Sequence, residues 1–189
     1  VQRCYSDTGA EHSVAGVYVV PGARLAMNAH TIRNARNGVA GNDPDGVAGR
    51  GTVRVSGPGV IAATREGVTI GKGKVSNITA RESVYGVVGG KVSLVDVTAS
   101  DNVIGVSVFE KLTAKRLTAD NNRYVGLLSY AGARVLASHL TGNVWADITT
   151  EEPPFVSDTT CDHSALLVET AQPGIYSPTG APFGFCAQD

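Results

Sequence analysis

Hydrophobic and polar residues alternate in short runs along this chain, and one phrase recurs in four copies. Each copy has an alternating apolar stretch, a threonine, a polar turn, a small residue and a second apolar stretch. The copies are VSNITARESVYGVV, VSLVDVTASDNVIGVSV, LTAKRLTADNNRYVGLL and VLASHLTGNVWADI. Alternation with a period of two is typical of β-strands, and units this short have no room for a helix. The pattern predicts a repeat built from short strands.

Two columns of equivalent residues indicate how the units are arranged. The threonines are Thr79, Thr98, Thr118 and Thr141, with spacings of 19, 20 and 23 residues. The small residues are Gly67, Gly86, Gly105, Gly126 and Ala146. This period, without a leucine-rich consensus, is typical of a solenoid in which each repeat forms one coil. We predict an all-β fold, a single-stranded right-handed parallel β-helix of about five to six coils.

Inward side chains of successive coils are expected to stack in ladders. The first predicted aliphatic ladder is Val75, Val92, Leu112 and Val135. The second is Ile78, Val97, Leu117 and Leu140, and the third is Val87, Val106, Leu127 and Ile148. At the polar corners we expect an asparagine ladder of Asn102, either Asn121 or Asn122, and Asn143.

The chain divides into three parts on this interpretation. Residues 1–13 are predicted to form an N-terminal cap, and residues 14–150 the coils. Gly38 and Gly67 are 29 residues apart, which is longer than the spacing of the small-residue column, so we interpret residues 41–50 as a loop inserted into a coil. Paired prolines then interrupt the strand pattern, and residues 151–189 are predicted to cover the open end of the solenoid.

Two cysteines favour a cross-link in the C-terminal part. Cys161 and Cys186 bracket a Pro- and Gly-rich segment that has little means of ordering itself by core burial. A disulfide between them would stabilise the folded tail by about 2–4 kcal/mol, and two free buried thiols are the alternative. If the disulfide forms, the chain matures in an oxidising compartment.

Two phrases resemble a known family. GARLAMNAHTI is similar to the GVTLDLNGHTI opening of secreted right-handed parallel β-helix repeat proteins, which share the pectate-lyase-like architecture. GRGTVRVSGPGVIAATREGVTI is similar to the coil that follows, and the resemblance covers about residues 14–150. It implies a secreted, extracellular or cell-surface protein. In that family a cysteine near the position of Cys4 often has an upstream partner, so Cys4 is either unpaired or linked to another chain.

Composition and charge narrow the possible partners. The chain has 189 residues, 42% of them hydrophobic, and a formal net charge of −1. A duplex-binding protein normally has a clustered basic surface, so we predict no nucleic-acid partner. Because no apolar run reaches the roughly 18 residues of a membrane span, we also predict no membrane span.

Enzymes of the resembled architecture place carboxylates, often holding calcium, beside a Lys or Arg that removes the proton next to a uronate carboxyl group. The matching acidic column is Glu82, Asp101 and Asp120, and the matching basic column is Lys74, Lys91, Lys111 and Arg134. The catalytic candidates of this interpretation are Asp101, Asp120, Lys91, Lys111 and Arg123. Solvated turns for the acids, and edge protection and solubility for the cations, are the alternatives.

Two further groups are candidates for binding. Tyr85, Tyr124 and Trp145 fall in one column with an isoleucine, where they either stack against sugar rings or fill the corners of the coils. Asp43 and Asp45 in the NDPDG loop offer oxygens to calcium, although the bidentate glutamate of a full calcium loop is missing and an Asp–Gly turn explains the same phrase. No other cofactor is indicated.

These observations favour a non-catalytic module. A regular repeat without a convergent catalytic cluster predicts a structural, self-assembling or glycan-binding role for the outer surface. The expected partners are an acidic polysaccharide, or further copies of the chain stacked end to end into an oligomer or filament. The alternative is a small lyase, epimerase or hydrolase of acidic polysaccharide, which requires acids and bases that converge on one sugar.

Overall fold

The computed structural model describes residues 15–19, 22, 24–33, 37–41, 52–170 and 176–189. The predicted N-terminal cap, with Cys4, and most of the predicted inserted loop lie outside these residues. None of the described residues is helical. The strands are β1 (Ala15–Val19), β2 (Arg24–Ala26), β3 (His30–Arg33), β4 (Asn37–Gly41), β5 (Val53–Ala62), β6 (Glu66–Arg81), β7 (Tyr85–Ser100), β8 (Ile104–Thr118), β9 (Val125–Ser129), β10 (Ala133–Leu136), β11 (His139–Leu140), β12 (Ala146–Thr150), β13 (Phe155–Ser157), β14 (Thr160–Cys161), β15 (Ser164–Leu166), β16 (Val168–Glu169) and β17 (Tyr176–Ser177).

The strands pair in parallel and stack into three faces. The first face has the order β1-β4-β6-β7-β8-β9-β12-β15. The second has β2-β5-β6-β7-β8-β10-β13, and the third has β3-β5-β6-β7-β8-β11-β14. Strands β6, β7 and β8 bend at the corners and contribute to all three faces. The fold is an all-β parallel solenoid of about six turns, as the repeat predicts.

Of the three predicted interior ladders, the third is confirmed completely. The members of the third predicted ladder pair in the order Val87, Val106, Leu127 and Ile148. In the second ladder Ile78, Val97 and Leu117 pair as predicted. Its last member, Leu140, is wrong, because the neighbouring His139 pairs with Thr118.

The first predicted ladder is correct only from Val92 to Leu112, and both of its ends are shifted by two residues. Val75 pairs with Leu94 rather than with Val92, and Val135 pairs with Ala114 rather than with Leu112. Val75, Val92 and Leu94 all have buried, inward side chains. Since the side chains of a strand repeat every two residues, the hydrophobic pattern does not distinguish these two registers.

The last members of the other two predicted columns are also wrong. His139, not Thr141, pairs with Thr118, and Ala146 pairs with Val125 rather than with the column glycine beside it. Both errors lie next to the TGN corner, where the regular spacing of the repeat ends.

The glycine column exists because the coils approach closely where the first face begins. A Cβ added to Gly67 would lie 2.4 Å from the carbonyl oxygen of Gly86. Gly86 stands in the same relation to Gly105, and Gly105 to Gly126, each at 2.5 Å. Real Cβ atoms essentially never make contacts this short. Only glycine therefore fits the column at this coil spacing.

A buried polar ladder connects the coils at the corner between the third and first faces. The asparagine ladder is confirmed, with Asn122 as its middle member. The backbone N–H of Asn102 donates to Oδ1 of Asn122 at 3.0 Å, and that of Asn122 donates to Oδ1 of Asn143 at 2.9 Å. Ser83 N donates to Asn102 Oδ1 at 3.0 Å, and Asn143 Nδ2 donates to Asp147 Oδ1 at 2.6 Å. Each side chain thus satisfies a backbone group of the preceding coil.

The residue before each ladder member adopts a left-handed backbone conformation. This outward corner column consists of Ala63, Glu82, Asp101, Asn121 and Gly142, with φ of 53°, 56°, 59°, 55° and 67°. The chain turns there from the third face to the first, so side chains of this column project from the corner.

The C-terminal tail covers part of the end of the solenoid. The predicted disulfide between Cys161 and Cys186 is present, with a Cα–Cα distance of 4.9 Å. Ala187 N donates to the Cys161 carbonyl at 2.9 Å, and Leu166 N donates to the Ala181 carbonyl at 3.0 Å. The tail therefore pairs with β14 and β15, whose backbone groups would otherwise form an open edge.

Asp189 fastens this tail. Its carboxylate accepts hydrogen bonds from Ser164 N and Oγ and from the backbone N–H groups of Gly184, Phe185 and Cys186. Burial raises the pKa of Asp189, but the hydrogen bonds from Ser164 and from the Cys186 and Phe185 backbone outweigh it, so the pKa lies below its ordinary value.

The close approach of the coils predicts that Gly105→Ala destabilises the fold by about 2–3 kcal/mol, because the new Cβ meets backbone that cannot yield alone. Equilibrium unfolding in urea measures the loss. Gly132→Ala is the control, because its Cβ meets the Glu152 carboxylate at 3.2 Å, the end of a flexible side chain. We expect a loss below about 0.5 kcal/mol there. Equal losses would contradict the explanation.

The lowered pKa predicts an acid-sensitive tail. The contribution of ionised Asp189 is present above about pH 4 and is lost as the pH falls through its folded-state pKa. We expect hydrogen-exchange protection factors of the Phe185 and Cys186 amides, measured by NMR, to fall on acidification. Asp189→Asn should lower them already at pH 7, whereas Asp158→Asn, at an exposed corner, should not. Full protection at pH 7 in Asp189→Asn would refute this role.

Candidate functional site

Positive charge is concentrated on the second face of the solenoid. Among the described residues, nine Lys and Arg side chains lie on or beside its outer surface, and all nine are exposed: Arg24, Arg54, Lys72, Lys74, Lys91, Lys111, Lys115, Arg116 and Arg134. A chain with a net charge of −1 thus has a clustered basic surface after all. The prediction of no nucleic-acid partner assumed that the chain has no clustered basic surface, and that assumption does not hold.

The cations form two columns in register across neighbouring coils. Lys72 pairs with Lys91, and Lys91 pairs with Lys111. Two residues further along the strands, Arg54 pairs with Lys74. Neighbouring strands lie about 4.8 Å apart, so Lys72, Lys91 and Lys111 present one positive charge per coil at that interval. Ser93 and Thr113 interrupt the second column after Lys74.

A groove of about 440 Å³ lies over these columns, and we call it the basic groove. Its charged lining is Arg54, Lys72, Lys74, Lys91 and Lys111, and its hydroxyl groups come from Thr52, Ser93 and Thr113. No carboxylate belongs to the described lining. Asp96, elsewhere on this face, is paired with Arg116 at 2.7 Å, and the hydrogen bond from Arg116 holds the pKa of Asp96 below its ordinary value.

The predicted basic column is correct in part. Lys91 and Lys111 pair as predicted, but Lys74 pairs with Ser93, and Arg134 lies in that neighbouring column. Lys72, which the sequence analysis missed, occupies the predicted place of Lys74. The two lysines are two residues apart and both point outward, so alternation alone does not separate them.

A second groove, which we call the corner groove, lies between the third and first faces and has a volume of about 650 Å³. Its lining includes Glu82, Asp101, Asn121 and Arg123 from successive coils. Glu82 also pairs with Arg81 at 3.1 Å, with both side chains exposed. The corner groove therefore carries charges of both signs.

The predicted acidic column is also correct in part. Glu82 and Asp101 are neighbours in the outward corner column, but the third place belongs to Asn121. Asp120 lies one residue earlier, where its Oδ1 accepts a hydrogen bond from Thr141 N at 3.0 Å. The coil that contains Asp120 is one residue longer than the preceding one, which explains the offset.

The structure does not bring the five catalytic candidates together. Lys91 and Lys111 line the basic groove, whereas Asp101 and Arg123 line the corner groove. The first face separates the two grooves, and its five-residue strands span roughly 16 Å. The fifth candidate, Asp120, belongs to the described lining of neither groove.

The predicted aromatic column splits into two. Tyr85 pairs with Ile104 on the first face. Val125 pairs with Ile104, and Ala146 pairs with Val125, so Tyr124 and Trp145, which precede Val125 and Ala146, belong to the neighbouring column. Their ring centroids are 4.2 Å apart at an interplanar angle of 39°, and Trp145 is 50% exposed.

An apolar cluster on the outside of the first face was not predicted. Its buried members are Ile104, Val125, Leu128 and Leu167. Tyr85, Tyr124 and Tyr130 pack against it, and burial raises the pKa of Tyr124 and, with a contribution from neighbouring Tyr85, that of Tyr130. The run YVGLLSY is apolar at both inward and outward positions, which was the available sign of this cluster.

The candidate metal site remains a prediction. Asp43 and Asp45 lie outside the described residues. Within the part of the chain that the structure describes, no three His, Cys, Asp or Glu side chains are grouped to hold a metal ion.

Comparison with known proteins assigns the chain to no family, so the chain is classified by its fold alone. No family model matches the chain, and neither does a curated protein or a solved structure. The chain is a parallel β-solenoid with a C-terminal disulfide. Among the described residues there is no helix of the length and apolarity that a membrane crossing requires.

Proposed function

We propose that this chain is a non-catalytic binding module for an acidic polysaccharide, and that the basic groove is its binding site. The observation that supports this most strongly is the column of Lys72, Lys91 and Lys111, in register across three coils. Stacked like charges repel one another, and the anionic groups of a ligand relieve that repulsion. Hydroxyl groups of Ser93 and Thr113 beside the cations supply hydrogen bonds for sugar hydroxyls.

The distribution of candidate acids and bases supports binding rather than catalysis. General acid–base chemistry needs both groups within hydrogen-bond reach of one substrate. No carboxylate shares the described groove lining with Lys91 and Lys111, the exposed Glu110 next to Lys111 lies outside that lining, and Asp101 lies at the other end of the first face. A lyase, epimerase or hydrolase is therefore the less supported alternative.

The C-terminal tail supports binding over end-to-end assembly as the main role. The tail already pairs with the last strands of the first and third faces, through Leu166 and Cys161. A further copy of the chain would have to displace these bonds to extend the sheets at this end. The disulfide in the tail is typical of oxidising compartments and supports an extracellular or cell-surface location.

The proposal predicts that replacing Lys72, Lys91 and Lys111 together by Gln weakens binding of an oligouronate at least tenfold at physiological salt. The reason is that three contacts between a lysine and a carboxylate of the ligand are lost. Isothermal titration calorimetry at two salt concentrations measures the affinity. The salt dependence should also become shallower in the variant. The charge-matched control replaces Arg65, Arg81 and Arg123 by Gln, and its oligouronate affinity should stay within about twofold.

Three results would contradict the proposal. Equal losses in the two triple variants would indicate unspecific charge attraction. Tighter binding of single-stranded nucleic acid than of oligouronate would assign the groove to the other class of polyanion. Release of unsaturated uronate products, followed by ultraviolet absorbance, would favour the lyase alternative.

A further inference from the structure

The corner groove has two chemically different walls that repeat from coil to coil. One wall is the outward corner column of Glu82, Asp101 and Asn121, which offers carboxylate and amide groups. Two residues after Glu82 and Asp101 are the apolar side chains Val84 and Val103, and two residues after Asn121 is Arg123, all three in the groove lining. The groove is therefore amphipathic in the coils of Glu82 and Asp101, and it carries a cation in the coil of Asn121.

Aromatic rings continue the apolar wall. Ile104 pairs with Tyr85 and with Val125, and Val125 pairs with Ala146, so the residues just before them form one column through four coils: Val84, Val103, Tyr124 and Trp145. Tyr124, next to Arg123, and Trp145, in the following coil, extend this column beyond the described groove lining. The Trp145 ring rests against Tyr124 and is half exposed. An aromatic face at the end of an apolar wall offers a flat surface to a ligand that also needs polar contacts.

From these two walls we infer that the corner groove is a second binding site, for an uncharged oligosaccharide. A pyranose ring has a C–H face and a rim of hydroxyl groups, and a chain of them repeats both surfaces from unit to unit, as the groove does from coil to coil. The C–H faces lie on the Val103, Tyr124 and Trp145 wall. The hydroxyl groups bond with Asp101, Asn121 and Arg123 on the polar side.

The charge of the groove selects against acidic sugars. Glu82 and Asp101 contribute two carboxylates to the lining and Arg123 contributes one cation. An acidic sugar would meet repulsion from Asp101, whereas a neutral sugar uses both the acceptors and the donor. The basic groove has the opposite preference, so the two sites recognise different saccharides.

An extended peptide is a poorer fit, because the backbone at this corner is already paired. Asp101 N donates to the Asp120 carbonyl at 3.1 Å, Val103 N to the Ser83 carbonyl at 2.9 Å, and Arg123 N to the Asn102 carbonyl at 2.8 Å. Strand addition needs free backbone groups, and these are bonded to the neighbouring coils. Recognition at this groove must therefore use side chains.

The test uses Trp145, the only tryptophan of the chain, as its reporter. We expect a saturable change of its fluorescence with neutral hexasaccharides, across a panel of β-linked glucose, mannose and xylose oligomers, and no such change with an oligouronate. By calorimetry, Trp145→Ala should weaken the best neutral ligand at least tenfold. Asp101→Gly removes the carboxylate while keeping a residue suited to the left-handed backbone, and should weaken it at least threefold.

Matched controls separate this site from the basic groove. Phe109→Ala removes a ring that is 49% exposed, almost as much as Trp145, at the opposite end of the first face, and should leave neutral-sugar affinity unchanged. The variant with Lys72, Lys91 and Lys111 replaced by Gln should also retain it. No saturable signal with any neutral oligosaccharide, unchanged affinity in Trp145→Ala, or an equal signal from the oligouronate would overturn the inference, whatever the outcome at the basic groove.

Discussion

The fold depends on the hydrogen bonds that join each coil to the next at the corner between the third and first faces. Side-chain oxygens of Asn102, Asn122 and Asn143 accept backbone N–H groups of the preceding coil inside the solenoid. A buried N–H without a partner is costly, so this ladder fixes the register of the coils more sharply than aliphatic contacts can. The residues on either side of the ladder are then fixed too. The residue before each ladder member projects from the corner as Asp101 does, and the apolar column begins one residue after Asn102, at Val103, and two residues after Asn122, at Tyr124.

The same register concentrates charge that the composition conceals. Side chains alternate between the interior and the surface, so cations at equivalent outward positions come together although they are about 20 residues apart in sequence. Lys72, Lys91 and Lys111 meet in this way, while the acids gather at a different corner. A formal charge of −1 describes the sum and not the surface. Net charge alone is therefore no ground for excluding a nucleic-acid partner, and the absence of such a partner stays a prediction.

Sequence periodicity predicted the solenoid and the ladder through Val87, Val106 and Leu127, because glycine and asparagine mark one corner in each coil. The disulfide was predicted separately, from the two cysteines that bracket the C-terminal tail. Periodicity failed where nothing marks the register. A shift of two residues keeps every side chain on its own face, so Lys74 was predicted in place of Lys72. A shift of one residue follows from a coil that is one residue longer, so Asp120 was predicted in place of Asn121. The two grooves, and the separation of Asp101 from Lys91, depend on the folding of whole coils and have no local mark.

The backbone conformation accounts in part for the outward corner column but not for the lysine column. This difference bears on which of the two columns is linked to function. Asp101 and Asn121 occupy left-handed corner positions, which Asp and Asn tolerate better than most residues, so the fold accounts for part of their presence. No comparable demand acts on the lysine column: Lys72, Lys91 and Lys111 do not have left-handed backbones. Edge protection does not account for them either, because β6, β7 and β8 each pair with strands on both sides. Because neither the backbone conformation nor edge protection requires this column of like charges, the proposed function rests on the lysines, with the corner groove as a separate inference.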